Sequence, residues 1–179
     1  LHKREMKIYE DFLDNGNFNN VRDYVFGDDI GWEKTLKVVG GDEDYYQYVH
    51  LAYAELVPLS NFFNVCSCIL NKLQVLSLYR IKINMSPSFS ERLYSDFHYD
   101  WNSSKGTHEN PIPCAIMKTG ILYLNTNDGY TEFEGGEIVH SVENRFVEFP
   151  SNIRHRGVSQ TNSDWRGVIN FNYFVGDPR

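Results

Sequence analysis

The sequence predicts a mainly β fold with N-terminal helices, a jelly-roll or cupin-like β-sandwich that carries a helical layer. Three observations lead there. Strand-favouring aromatics are abundant, with 12 Tyr and 12 Phe among 179 residues. Apolar residues recur at helical spacing in the first part of the chain and alternate with period 2 afterwards. No long helix separates the later strands, which argues against a parallel α/β sheet. No repeat, low-complexity tract or Pro/Gly-rich linker interrupts the chain, so one domain is expected over 1–179. Its helical layer is expected over 1–73 and its β-sandwich core over 74–179.

The elements follow in order. FNNVRDYVF places Phe18, Val21, Val25 and Phe26 on roughly one helical face. Residues 43–57, EDYYQYVHLAYAELV, continue the helical reading. SNFFNVCSCILNKL follows, with Ser60 as its N-cap. After Gln74 the pattern changes. VLSLYRIKIN and CAIMKTGILYLN alternate as strands do, and GEIVHSV, NRFVEFP, RHRGVS and WRGVINFNYFV come at close spacing. Turn signals at Asn127-Asp128-Gly129, Gly135-Gly136, Pro150-Ser151-Asn152 and Thr161-Asn162-Ser163 separate them. Many short strands with frequent turns give a sandwich or barrel.

Composition narrows the function classes. Lys and Arg number 17 against 24 Asp and Glu, a net charge of -7. That balance disfavours nucleic acid and anionic membrane as main partners. No apolar run reaches the ~18 residues that span a bilayer. LHKREMKIYEDF lacks the apolar stretch of a signal peptide. Cys66, Cys68 and Cys114 form no CxxC pair and no even framework, so reduced, structural thiols in a soluble cytoplasmic protein are expected.

The chemistry-bearing feature is FHYDW. It puts His98 and Asp100 two apart, where strand geometry turns both side chains to one face. Such a pair arises by chance often enough to mean little alone. RFVEFPSNIRHRG adds His155 on a late strand that a jelly roll can bring beside the early one. Two His and one carboxylate, with three positions left open, is the facial triad of non-haem Fe(II) sites. Zinc and calcium favour other donor sets. Arg166, in WRGVINFNYF, can reach the same cavity from an antiparallel neighbour of the His155 strand. A buried guanidinium needs an anion, and its fork of donors suits a carboxylate such as the far end of 2-oxoglutarate.

These blocks together resemble the Fe(II)/2-oxoglutarate dioxygenases of the prolyl-hydroxylase type. FHYDW, GILYLNTNDGYTEFEGGEI, RFVEFPSNIRHRGV and WRGVINFNYF stand in the family's order and at its spacing, from about Tyr79 to Phe174. The resemblance implies a double-stranded β-helix and an oxygenase. Such an enzyme hydroxylates a substrate while turning 2-oxoglutarate into succinate and CO2. It implies Fe(II), 2-oxoglutarate and O2 as cofactors, with ascorbate as an auxiliary. His98, Asp100 and His155 match the iron ligands, and Arg166 and Tyr123 match the residues at the distal carboxylate. For the proximal carboxylate Tyr79, Arg80, Asn84 and Tyr94 all remain open. A peptide, protein or small molecule is the implied substrate, with peptidyl proline the first guess. Loops 102–113 and 125–134 are expected to set the choice.

The bland readings stand beside these. His140 reads as a partly exposed strand histidine and His108 as a loop histidine. Arg166 can instead pair with Asp164 at the surface, and Tyr123 can be an ordinary core tyrosine. Trp101 can line the substrate mouth or pack in the core, and Gly135-Gly136 serves a tight turn. The rival functions are a non-catalytic jelly-roll binding module and a different metal-dependent enzyme on the same fold.

Overall fold

The computed structural model describes residues 6–36, 40–100 and 117–176. His2, Trp101, His108, Cys114 and the loop 102–113 lie outside them. Among the described residues the order is β1 (Lys7–Tyr9), α1 (Asn15–Phe26), β2 (Glu33–Thr35), β3 (Gln47–Ala54), β4 (Val57–Pro58), α2 (Phe62–Val65) and α3 (Ser67–Lys72). Then come β5 (Val75–Pro87), β6 (Met117–Tyr123), β7 (Tyr130–Phe133), β8 (Ile138–His140), β9 (Phe146–Pro150), β10 (His155–Val158) and β11 (Trp165–Val175).

The strands form two sheets. The larger runs β1-β9-β6-β11-β5-β3-β2, with β4 added to β3, and the smaller runs β10-β7-β8. All the pairings are antiparallel. The long strands β5 and β11 make the centre of the larger sheet, and their alternation separates two cores. Ile81, Ile83 and Met85 of β5 join Ile169, Phe171 and Tyr173 of β11 in one core, packed with Phe18, Val21 and Val25 of α1. On the opposite face Ile121, Tyr123, Val147, Phe149 and Val168 meet Phe133 and Val139 of the smaller sheet. Helices α1, α2 and α3 lie in the N-terminal part of the chain, and strands β1 to β4, which the helical spacing does not suggest, lie there with them.

Local chemistry explains the elements. Asp14 caps α1, its side chain accepting from the Asn17 N–H at 3.0 Å. Phe18, Val21 and Val25 give that helix its buried stripe, whereas Phe26 is 44% exposed. Residues 43–57 are not helical as the spacing predicts. They contain β3, paired with β5 on one side and β2 on the other. A register shift between Leu51 and Tyr53 breaks the alternation of β3, so its buried positions imitate a longer period. Ser60 is not the N-cap. Asn61 precedes α2, and the Ser60 hydroxyl bonds His50 Nε2 at 2.7 Å. The segment 125–134, read as a loop, ends in β7, which pairs with both β8 and β10. Gly136 takes φ +93 in the turn after β7, as the Gly-Gly signal requires.

One further tie joins the N-terminal segment to the sandwich. The Asn144 side chain accepts from the Leu13 N–H at 2.9 Å and donates to the Leu13 carbonyl at 2.8 Å. Cys66 and Cys68 are free thiols, and burial raises the pKa of both. No helix among the described residues is long and apolar enough to cross a membrane. Phe171 is fully buried at the junction of α1 and the central strands. Phe171→Ala is expected to cost about 3–5 kcal/mol in urea denaturation. Leu76→Ala, at a residue 75% exposed, should stay within about 0.5 kcal/mol.

Candidate active site

The segment leading to His98 is not a regular strand. It docks on β10 through two isolated antiparallel bridges, Tyr94 to Val158 and His98 to His155. The His98 N–H donates to the His155 carbonyl at 2.9 Å, and the His155 N–H returns a bond to the His98 carbonyl at 3.0 Å. That pair of backbone bonds sets the two imidazoles side by side, with ring centroids 5.0 Å apart. Asp100 completes the group. Its Oδ1 lies 3.8 Å from His98 Nε2 and 3.7 Å from His155 Nε2. One ligand atom from each residue falls within 4.8 Å of the others. Among the described residues this is the one cluster with metal-ligand geometry.

The protonation pattern suits a metal. His98 Nδ1 is 2.9 Å from the Asp96 carbonyl and His155 Nδ1 is 3.2 Å from the Ile153 carbonyl. A carbonyl only accepts, so each Nδ1 carries the proton and each Nε2 keeps its lone pair for the centre of the cluster. Burial, and then the neighbouring His155, depresses the His98 pKa, which favours the neutral ring. For Asp100, burial pushes the carboxyl pKa up. Contact with His155 and the charge of Arg80 outweigh it and hold the group well below the usual carboxylate range. His155 is buried against Phe149, at a centroid distance of 4.9 Å, and against Phe133. Its ring has little freedom to turn away.

The cluster opens on a cavity of about 160 Å³ between the two sheets. Arg80, Lys82 and Asn84 of β5 line it, with Val168 and Asn170 of β11 and Thr131 of β7. Arg166 enters from β11, but β11 is not the antiparallel neighbour of β10. The two strands lie in different sheets, and both contribute side chains to the space between them. Arg166 is 5% exposed. Its Nε donates to Ser141 Oγ at 2.8 Å, and its Nη2 is 3.5 Å from Thr131 Oγ1. No carboxylate among the described residues lies within 4.0 Å of it, Asp164 included. Gly129 lets Arg166 into place, since a Cβ there would stand 2.7 Å from Arg166 Cδ.

Tyr123 is not among the residues that line the cavity. It is fully buried. Its hydroxyl donates to Thr131 Oγ1 at 2.7 Å, and the Arg166 guanidinium lies 5.7 Å from its ring centroid. Thr131, not Tyr123, lines the cavity. Of the four residues left open for a second polar contact, Arg80 and Asn84 line the cavity. Tyr79 faces an adjoining groove, and Tyr94 packs under Arg156. Lys82, between Arg80 and Asn84, was passed over. The period-2 rule applied to VLSLYRIKIN would have found it. Burial lowers its pKa, with Arg80 adding to the effect and Asp100 opposing it. His140 is exposed on β8 against Tyr130, and His50 is tied between Gly31 and Ser60. Neither approaches the cluster.

Neither a protein-family model nor a curated protein sequence matches the chain. Solved structures do match in fold. A prolyl hydroxylase from Trichoplax adhaerens, in complex with a hypoxia inducible factor peptide fragment, superposes with TM-score 0.59 at 13% identity. The match covers 97% of this chain and 85% of that one. A Pseudomonas putida prolyl-4-hydroxylase gives 0.54 at 13% identity over 98% and 95% of the two chains. The viral collagen prolyl hydroxylase of Paramecium Bursaria Chlorella virus-1, in its 2OG complex, gives 0.57 at 11% over 98% of both. The fold is thus the double-stranded β-helix of the 2OG-Fe(II) oxygenases.

The three-ligand geometry predicts one Co(II) bound per chain, followed by its visible absorption. Asp100→Ala and His155→Ala should each abolish binding while the far-ultraviolet circular dichroism stays that of the wild type.

Proposed function

We propose that this chain is an Fe(II)- and 2-oxoglutarate-dependent oxygenase that hydroxylates its substrate and releases succinate and CO2. The observation that carries the reading is Arg166. A buried guanidinium without a carboxylate is costly, and this one points into a cavity whose other end holds a facial set of metal ligands. A ligand that joins the two ends must present an anion to Arg166 and donor atoms to the metal. A 2-oxo dicarboxylate does both. The metal and O2, when bound with it, would supply the oxidising power.

The remaining residues take roles that follow from their places. His98, Asp100 and His155 would hold the metal. Arg166 would take the distal carboxylate, with the Thr131 hydroxyl beside it. Tyr123 supports both from behind by fixing the Thr131 hydroxyl and offering its ring face to the guanidinium. Lys82 would meet the proximal carboxylate. It lies on β5 between Arg80, which is engaged with Asp100, and the end of the strand opposite Arg166. It too has no carboxylate within 4.0 Å among the described residues.

Substrate would bind outside this cavity. A volume of about 160 Å³ is the share of roughly five water molecules in the liquid, enough for one small dicarboxylate. The adjoining groove, about 370 Å³, shares Asp100 and Arg80 with the cavity and adds Ala54, Glu55, Leu56 and Tyr79. A peptidyl proline is the first candidate to test there, since the structurally similar proteins are prolyl hydroxylases and one of them is in complex with a peptide.

The test is Fe(II)-dependent succinate release from 2-oxoglutarate, with and without proline-containing peptides. Arg166→Met should raise the 2-oxoglutarate concentration for half-maximal rate at least tenfold, because a hydrogen-bonded charge pair contributes about 1.5–3 kcal/mol. Gly129→Ala should act in the same direction by displacing Arg166. Succinate release that needs no metal, or an unchanged half-saturation in Arg166→Met, would contradict the proposal.

A further inference from the structure

We infer that Arg80 and Asn172 are positioning residues that hold Asp100 to one-oxygen binding of the metal and so keep room for a chelating cosubstrate. The inference rests on the oxygenase reading above. It starts from an asymmetry in the Asp100 carboxylate. Oδ1 is the oxygen that faces both imidazole Nε2 atoms, at 3.8 and 3.7 Å. Oδ2 turns the other way, 3.5 Å from the Asn172 side-chain nitrogen.

The turn is built into the sheet. Asn172 on β11 stands opposite Arg80 on β5 and opposite Thr119 on β6, so the three form one cross-strand row. Arg80 Nε donates to Asn172 Oδ1 at 3.0 Å, and Asn172 Nδ2 donates to Thr119 Oγ1 at 3.1 Å. Thr119 Oγ1 in turn bonds Ser151 Oγ at 2.9 Å. Asn172 is fully buried, and both ends of its amide are taken, so it cannot swing away from Asp100. Arg80 adds a second restraint. Its Nη2 donates to the Asp100 backbone carbonyl at 3.1 Å and lies 3.6 Å from Oδ1.

The consequence concerns coordination number. An octahedral site holding two imidazoles and one carboxylate oxygen keeps three positions, enough for a bidentate keto acid and O2. A carboxylate that swings to bind through both oxygens removes one of the three. Metal binding would survive that change, and chelation of the cosubstrate would not. The row Arg80–Asn172–Thr119 therefore serves cosubstrate binding rather than metal affinity, and that split is measurable.

The experiment compares wild type, Asn172→Ala and Arg80→Met, each titrated anaerobically with Fe(II) and then with 2-oxoglutarate. Calorimetry follows the metal, and the visible charge-transfer absorption follows the keto acid. The expected result is Fe(II) affinity within about threefold of wild type in both variants, with 2-oxoglutarate half-saturation raised at least tenfold. Thermal midpoints recorded alongside separate this from a loss of fold. If Asn172→Ala does not fold, Arg80→Met decides, since that side chain is 24% exposed. Unchanged 2-oxoglutarate binding in the variants, or metal and cosubstrate affinities falling together, overturns the inference and leaves the oxygenase reading standing. Absence of the absorption in the wild type removes both.

Discussion

Two neighbouring strands with opposite demands on their two faces organise this molecule. β5 and β11 give every second side chain to the apolar core under α1 and the ones between to the space facing the smaller sheet. From Arg166 opposite Ser86 to Asn172 opposite Arg80 the two strands pair without a register shift, so a polar side chain on the inner face there cannot retreat without dragging its neighbours out of the core. Arg80, Lys82 and Asn84 are held in the cavity in this way by Ile81, Ile83 and Met85, and Arg166 and Asn170 by Ile169 and Phe171. The polar groups are fixed by apolar packing on the far side of the sheet. The His98–His155 backbone bridge then brings the metal-ligand segment to the open end of that space.

This arrangement accounts for the uneven electrostatics of the cavity. Among the described residues Asp100 is the one carboxylate lining it, against Arg80, Lys82 and Arg166. Arg80 is engaged with Asp100, while Lys82 and Arg166 have no carboxylate within 4.0 Å among the described residues. A fold that served packing alone would not keep such groups between two sheets, where apolar residues of similar size would serve better. On the proposed reading, these two cations and the group that could hold a metal are the complement of a molecule with two carboxylates and a chelating oxygen.

Much of the site was legible in the sequence. FHYDW, H-x-G and the later Arg carry their chemistry in residue type and order. The four residues so marked, His98, Asp100, His155 and Arg166, line one cavity, although the segment bearing the first two is not a regular strand. The route was less legible. Arg166 reaches the cavity across the sandwich rather than from the strand beside β10, because the chain switches sheets between β10 and β11. Residues 43–57 looked helical because the irregularity at Leu51–Tyr53 disguises a strand. The contacts of Thr131, Ser141 and Asn172 could not be read, since each depends on cross-strand register and on pairings distant in sequence. Tyr123 shows the same gap in reverse. Its alternation points it inward correctly, yet whether its hydroxyl reaches the cavity or stops at Thr131 depends on the depth of the neighbouring sheet.

The central claim is that one small molecule spans the metal group and Arg166. The most direct measurement is anaerobic addition of 2-oxoglutarate to the Fe(II)-loaded protein, watching for the weak visible band of a keto acid chelated to iron. The account predicts the band in the wild type and its loss in His155→Ala. In Arg166→Met it should appear only at much higher 2-oxoglutarate. A folded, iron-loaded wild type that shows no band, or a band insensitive to Arg166, would contradict it.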